Sequence, residues 1–293
     1  MAVAGGRPPG EFVGVDGVVL HTVRQGRGPA VVVTSGLGGA WFDWDFVVPG
    51  LADECEVVRF DRPGLGFSQA DREPPTLRRE AERIRGLLDT LGVPGPYVLV
   101  AHSFAAFHAE AFARLYPGMT AGLVLVDPSV EAAPRPLPAR GARLAAWRAI
   151  GAGARLTGVS RPLGPALRRL AVLALSRTRR DAADPALMRR AYGSGRFLTA
   201  AFTENTTYRD QAADLIELRR GLDLPDVPLR VLAAAGSRET LAARARWLRE
   251  QRALAALAPR GRCDVLDDAA HLLMLDRPDA VVAAVREVLA EAK

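Results

Sequence analysis

The sequence predicts an α/β fold: a mostly parallel sheet with helices on both faces, interrupted by one α-helical insertion. Short apolar runs alternate with helical segments over the first 127 residues, which is typical of a parallel sheet. The alternation stops over residues 128–225, where Ala-, Leu- and Arg-rich pieces are separated by prolines. Strand patterns then resume. We therefore predict a core formed by residues 1–127 and 226–293 and a helical insertion formed by residues 128–225.

The elements of the core follow from apolar periodicity and turn residues. A hairpin is expected around Asp16-Gly17, because this two-residue turn suits antiparallel strands. Further strands are predicted at 30–36, 55–61, 97–102, 122–127, 229–236 and 263–268. Helices are predicted at 41–51 and 76–91, directly after residue 103, and at 239–256 and 278–292.

Composition favours a globular protein, and we expect it in the cytoplasm. The 293 residues are 49% hydrophobic, and no apolar run reaches the roughly 18 residues that a transmembrane helix needs. The N-terminus lacks the basic and apolar regions of a secretory signal. The two cysteines, Cys55 and Cys263, form no disulfide framework and have no metal-ligand spacing, which is compatible with a reducing compartment.

The positive charge is concentrated in one segment. The net charge is +6, yet residues 135–196 alone contain 14 arginines and only two acidic residues. No nucleic-acid motif accompanies this charge, so we do not predict nucleic-acid binding. We favour an insertion whose apolar side covers a pocket and whose arginine side is solvated. Contact with an anionic membrane is the alternative.

Ser103 is the candidate nucleophile. The apolar run YVLVA (97–101) leads to His102-Ser103, and a helical segment begins at once. A serine at a sharp turn from strand to helix presents its hydroxyl beside free backbone N–H groups, as in a nucleophile elbow. Ala101 and Ala105 stand where glycine is usual. The turn needs small residues there because the strand, turn and helix approach one another closely, and alanine meets this need with less margin than glycine. The pattern also suits an ordinary serine that caps a helix.

His271 is the candidate base that a serine nucleophile requires. It follows the last predicted strand in the loop Asp268-Ala269-Ala270-His271, and such loops meet at the C-terminal edge of a parallel sheet. The other histidines fit less well. His21 lies on an early strand, His102 should face away from Ser103 because strand side chains alternate, and His108 lies on the following helix.

Five segments together resemble the α/β-hydrolase fold family over nearly the whole chain. They are SGLGG (35–39), DRPGLGFS (61–68), AHSFAA (101–106), LVLVDP (123–128) and AHLLMLDRPDAV (270–281). The order nucleophile, acid, histidine along the chain also agrees. The resemblance implies the α/β-hydrolase fold, with the insertion in the position of the family's cap.

The resemblance also implies an oxyanion hole made of two backbone N–H groups. By position these belong to Leu37, in the loop after the third strand, and to Phe104, after the nucleophile. Ser35 replaces the histidine that the family usually has before the loop glycine, which leaves the backbone donor intact. Ser35, Gly36 and Trp41 are expected near the substrate pocket.

The acid of the triad has two candidates by the same resemblance. Asp127, at the end of the strand before the insertion, is preferred. Glu239 is the alternative, because it occupies the fourth position of a Gly-x-x-Asp-like pattern that begins at Gly236.

These residues predict a serine hydrolase that cleaves an ester or related acyl bond of a small molecule through an acyl-enzyme. No metal and no organic cofactor are implied. A catalytically silent domain that binds a small ligand or partner is one alternative. A C–C hydrolase, thioesterase or lyase on the same fold is another, since fold does not fix function. The oligomeric state stays open.

Overall fold

The structure is a computed structural model that describes residues 7–236 and 240–292. Within these residues eight strands form one sheet in the order β1-β2-β4-β3-β5-β6-β7-β8. The strands are β1 (Glu11–Val15), β2 (Val18–Gln25), β3 (Ala30–Thr34), β4 (Glu56–Phe60), β5 (Tyr97–His102), β6 (Thr120–Val126), β7 (Leu229–Ala234) and β8 (Gly261–Leu266).

The sheet is antiparallel only at one edge. β1 and β2 pair through Val15 and Val18, and the turn between them contains Asp16 and Gly17 with φ of 48° and 77°. Both φ values are positive, as a tight two-residue hairpin turn requires. β2 also pairs antiparallel with β4, and all the other neighbouring strands are parallel. The predicted fold class is therefore confirmed.

Helices connect the parallel strands and form the insertion. In the described residues they are α1 (Leu77–Leu91), α2 (Ala105–Leu115), α3 (Arg140–Leu156), α4 (Ser160–Leu175), α5 (Pro185–Tyr192), α6 (Gly195–Gly221), α7 (Leu241–Ala255), α8 (Leu273–Asp276) and α9 (Pro278–Glu291). The helix expected at 41–51 is instead two short 3₁₀ turns, Trp41–Trp44 and Val48–Gly50. Pro49 supplies no N–H and Gly50 is a poor helix former, so a longer helix is not sustained there.

Both faces of the sheet are buried, as parallel strands require. On β3, Val32 packs in the core cluster that contains α1 and α2, whereas Val31 and Val33 pack in the cluster that contains α9. Leu99 of β5 joins the first cluster and its neighbour Val100 joins the second. Because side chains alternate along each strand, they fill one core on each face of the sheet. These two cores hold the sheet in place, and with it the loops at its C-terminal edge.

The segment 128–225 contains α3, α4, α5 and α6. α3 packs along α6, where the rings of Trp147 and Phe202 stack with centroids 3.9 Å apart. Pro162 and Pro165, expected to break a helix, both lie within α4. Pro162 is in the first turn, where its missing N–H removes no helical bond. None of the helices in the described ranges is long and apolar enough to span a bilayer.

Candidate active site

The candidate residues meet at the C-terminal edge of the sheet. β4 lies on one side of β3 and β5 lies on the other, so the strand order reverses between β3 and β5. A crevice forms outside the sheet at such a switch point. The loops that follow β3, β5, β6 and β8 carry Leu37, Ser103, Asp127 and His271, respectively. Residues far apart in the chain therefore reach one site.

Ser103 occupies a strained turn between β5 and α2. Its φ is 52°, a left-handed conformation that is uncommon for residues other than glycine. Backbone hydrogen bonds hold the turn. The N–H of Ser103 donates to Val126 O (3.0 Å), and its carbonyl accepts from the N–H groups of Ala106 and Ser129 (both 3.1 Å). Ser103 is thus held rigidly, with its side chain bordering a cavity.

Asp127 and His271 form a hydrogen-bonded pair. His271 Nδ1 lies 2.6 Å from Asp127 Oδ2. Asp127 is fully buried, and its other carboxylate oxygen accepts from the N–H of Ala234 on β7 (2.9 Å). Because an ionised carboxylate only accepts, Nδ1 of His271 is the protonated nitrogen. The neutral ring therefore has its basic lone pair on Nε2, the atom that a general base needs free.

Ser103 and His271 line the same cavity, although no hydrogen bond joins their side chains among the described contacts. Catalytic hydrogen bonds are often long in enzymes without substrate and tighten when substrate binds. Of the two candidate acids, Asp127 lies against His271, and Glu239 lies outside the described residues.

The loop after β3 approaches the elbow closely at Gly36. A Cβ on this residue would lie 2.6 Å from His102 Nδ1 and 3.2 Å from Ser103 Cβ, so only glycine fits. Among the described contacts, neither the Leu37 N–H nor the Phe104 N–H donates a hydrogen bond. Two backbone donors in the loops flanking Ser103 are consequently available to an oxygen bound there.

A buried ion pair supports this loop from behind. Glu204, on α6, accepts from the N–H of Gly38 (2.9 Å) and from Arg62 Nε (2.6 Å). Arg62 also donates to the carbonyl of Gly36 (2.7 Å) and to that of Ser35. Glu204 carried no local signal, because it lies 166 residues from Gly38 inside a long helix.

The cavity beside Ser103 has a volume of about 330 Å³ and is mostly apolar. Besides the residues of the elbow and the loop after β3, α4 contributes Leu167, Ala171 and Leu175, and α6 contributes Phe197 and Ala201. Of the three expected pocket residues, only Gly36 is in the described lining.

The expectation that Ser35 and Trp41 belong to the pocket is therefore corrected. The Ser35 hydroxyl turns away to donate to Ala40 O (2.8 Å) and accepts from Trp44 Nε1 (3.0 Å). Trp41 is buried behind the loop, where the Arg59 guanidinium lies 4.8 Å from the ring centroid. Both residues support the cavity wall from outside rather than line it.

One charged cluster borders the cavity. Arg168 of α4 is buried, with Nη1 2.7 Å from Asp43 and with Nε and Nη2 paired to Asp181 (3.0 and 2.8 Å). Burial would lower the pKa of Arg168, but Asp43 and the other carboxylate hold it well above its usual value. The sequence predicted that the arginines of the insertion are solvated, so the burial of Arg168 departs from that prediction. It ties α4 to the core.

His102 borders the cavity as well, although strand alternation predicted that it would face away from Ser103. Alternation fails here because the chain leaves the extended conformation at Ser103. His102 Nε2 donates to the backbone carbonyl of His271 (2.8 Å). Burial, reinforced by the neighbouring His271, holds the pKa of His102 well below its ordinary value, so the ring is neutral. It therefore supports the His271 loop without adding charge.

A second cavity of about 260 Å³ lies on the opposite face of α6, beside Arg196, Thr199 and Thr203. Its described lining includes Glu204 but neither Ser103 nor His271. The candidate chemistry therefore belongs to the cavity between α4, α6 and the elbow.

A family model described as "Alpha/beta hydrolase family" matches residues 9–284. This match covers most of the chain, so the protein belongs to the alpha/beta hydrolase family. Membership supports a hydrolase as the general class of enzyme.

Four proteins illustrate what this chain is similar to. Cis-3-alkyl-4-alkyloxetan-2-one decarboxylase of Xanthomonas campestris is 26% identical in an alignment of 304 positions that covers 93% of each sequence. The uncharacterized protein YqjL of Bacillus subtilis is 30% identical over 118 residues, or 40% of this chain. The chain spans only 47% of YqjL and 43% of an uncharacterized Schizosaccharomyces pombe relative. The enol-lactonase of Burkholderia xenovorans superposes with a TM-score of 0.66 at 22% identity, over 96% of this chain and all of that one, which supports the fold.

Proposed function

We propose that the protein is a serine hydrolase that cleaves an ester or related acyl bond through a Ser103–His271–Asp127 triad. The observation that carries the proposal is the 2.6 Å contact between His271 Nδ1 and the fully buried Asp127 carboxylate, beside a serine held at a φ of 52°. This contact fixes the tautomer of His271 that can accept a proton at Nε2.

The first half of the reaction forms an acyl-enzyme. His271 Nε2 takes the proton from the Ser103 hydroxyl as Oγ attacks the carbonyl carbon of the substrate. The N–H groups of Leu37 and Phe104 donate to the oxygen that becomes negative. His271 then gives its proton to the leaving group, and the bond between that group and the carbonyl carbon breaks.

Water completes the reaction by the same steps. His271 removes a proton from water, the resulting hydroxide attacks the acyl carbon, and Ser103 Oγ leaves with the proton returned by His271. Asp127 stabilises the imidazolium at both stages without changing its own protonation. The products are a carboxylic acid and the free leaving group.

The cavity indicates a small or medium substrate with an apolar acyl part. Its volume of about 330 Å³ is near the lower limit for drug-sized ligands. Arg168 is already paired with two carboxylates, so the described lining of the cavity offers no unpaired arginine or lysine to a negatively charged acyl group. Because one full-length relative is named for an oxetan-2-one, which is a cyclic ester, lactones belong in the substrate panel beside open-chain esters.

The test is covalent labelling with a fluorophosphonate, followed by peptide mapping. We expect label on Ser103 of the wild type and none on the folded Ser103→Ala variant. His271→Ala should label at least about 10³-fold more slowly, because the hydroxyl loses its base.

Ser194→Ala is the matched control. Ser194 lies directly before α6, its hydroxyl donates to Ala191 O, and Ser194 is absent from the described lining of the cavity. This variant should label at the wild-type rate. A folded wild type that reacts neither with a fluorophosphonate nor with a smaller sulfonyl fluoride would contradict the proposal. It would favour a silent ligand-binding domain.

A further inference from the structure

The outer face of α4 exposes a row of leucines. Leu163, Leu167, Leu170 and Leu173, here called the α4 leucine row, are 40%, 37%, 61% and 52% exposed. Their spacing of three and four residues places them along one side of the helix. The opposite side, which includes Arg168 and Val172, is buried. α4 is thus apolar on its solvent side, whereas a surface helix ordinarily presents polar residues there.

This exposure is concentrated rather than scattered. Fifteen large apolar residues are exposed in the described chain, and eight of them lie between residues 150 and 175. Single exposed leucines are normal, but a contiguous apolar patch marks an interaction surface. The sequence suggested that the apolar side of the cap covers the pocket. In α4, only part of it does so.

The charge around the row selects the kind of partner. Residues 132–180 contain eleven arginines and no acidic residue. Arg169 of α4 is exposed beside the leucine row, and further exposed arginines lie at or next to the ends of the helix: Arg155, Arg161, Arg177, Arg179 and Arg180. Apolar side chains flanked by arginines suit a lipid surface with anionic headgroups. A second copy of this positively charged face would instead be repelled.

The row also adjoins the substrate cavity. Leu167 belongs both to the row and to the cavity lining, and Leu175, 40% exposed, extends that lining at the end of α4. An apolar path therefore runs from the outer face of α4 to the cavity that contains Ser103.

We propose that α4 lies on an anionic lipid surface, with the leucine row in the headgroup–acyl boundary and Arg169 against the headgroups. The helix is too short and too well tied to the core to cross the bilayer; it rests on one leaflet. This inference concerns the surface of α4 and does not require the hydrolysis proposed above.

The test is co-sedimentation of the full chain with vesicles. We expect binding to vesicles of equal parts phosphatidylcholine and phosphatidylglycerol at low salt, and much weaker binding to phosphatidylcholine alone. Leu170→Ser combined with Leu173→Ser should weaken partitioning by about tenfold or more, since two half-exposed leucines no longer enter the membrane. Arg169→Gln should weaken it by about fivefold.

Matched variants control both effects. Leu241→Ser with Leu257→Ser removes two leucines that are 85% and 41% exposed elsewhere. Arg78→Gln with Arg246→Gln removes two exposed arginines of α1 and α7. Both control pairs should bind like the wild type. Since every replaced side chain is exposed, thermal melts should be nearly unchanged.

Three results would overturn the proposal. The first is absence of binding to the anionic vesicles at low salt. The second is binding that the Leu170 and Leu173 changes leave intact, because the contact would then lie elsewhere or be purely electrostatic. The third is a dimer in sedimentation velocity that these two changes abolish, because a second copy would then cover the row.

Discussion

Replacing Asp127 by Asn tests the arrangement of the proposed triad most directly. The asparagine has the same shape, and its carbonyl oxygen can still accept from the N–H of Ala234. Its amide nitrogen would then face His271 Nδ1. An amide NH₂ only donates, so the neutral ring would have to carry its proton on Nε2 and accept at Nδ1. His271 would lose the lone pair that takes the proton of Ser103.

The size of the effect follows from the distance and the burial. A full negative charge 2.6 Å from the imidazolium that forms in the transition state contributes about 6 kcal/mol at an effective dielectric constant of about 20. This energy corresponds to about 10⁴-fold in rate, the loss seen when a triad aspartate becomes asparagine. We therefore expect kcat to fall by about 10⁴-fold, with a small change in the free energy of unfolding.

The assay is hydrolysis of short acyl esters, with the fluorophosphonate labelling rate as an independent readout. Glu239→Gln is the control, because it removes the other candidate acid and should leave kcat nearly unchanged. If Asp127→Asn folds and keeps more than about a tenth of the wild-type kcat, the assignment of Asp127 is refuted, since that loss is far below the expected 10⁴-fold. A large loss in Glu239→Gln alone would move the role to Glu239.

Two further predictions concern buried polar residues. Glu204→Gln should lower kcat more than it raises KM and should destabilise the fold by about 3 kcal/mol, since the buried Arg62 loses its counter-charge. Steady-state kinetics and urea unfolding measure these two effects, and unchanged kinetics in the folded variant would exclude a role of Glu204 in positioning the loop after β3. Burial lowers the pKa of His108 to about 3, so below about pH 6.5 the unfolded chain binds a proton that the folded chain does not. The free energy of unfolding therefore decreases as the pH falls, and His108→Gln should reduce this decrease between pH 7 and pH 5 by about 2 kcal/mol in urea unfolding. An identical decrease in both proteins would contradict a lowered pKa of His108 in the folded chain.

The sequence was informative wherever a local pattern determines the backbone. Alternating burial on both sheet faces follows from the apolar runs, and the hairpin turn follows from Asp16-Gly17, whose φ values of 48° and 77° suit a two-residue turn. The choice of Ser103 and His271 rested on chain order and on the rule that loops after parallel strands share one edge. The structure places both residues in the lining of one cavity.

The sequence was uninformative wherever the partner lies far along the chain. Glu204 touches Gly38 across 166 residues, and no spacing in the sequence connects them. Likewise, an arginine in a basic helix has no local sign that it is buried, as Arg168 is against Asp43. The exposure of Leu170 was hidden for the same reason: periodicity locates the sides of a helix but does not show which side the rest of the molecule covers.

Two of the insertion helices that line the cavity, α4 and α6, are each bonded to a loop of the proposed site. α6 holds the loop after β3 through Glu204, which binds both the Gly38 N–H and Arg62. The C-terminal end of α4 holds the His271 loop, because the N–H of Leu272 donates to Leu175 O (2.8 Å). Lifting the insertion as a rigid lid would break buried hydrogen bonds on both loops and would displace the donors that the transition state needs. Substrate entry is therefore expected through side-chain movement at the leucine-lined end of the cavity, with α4 and α6 remaining in place.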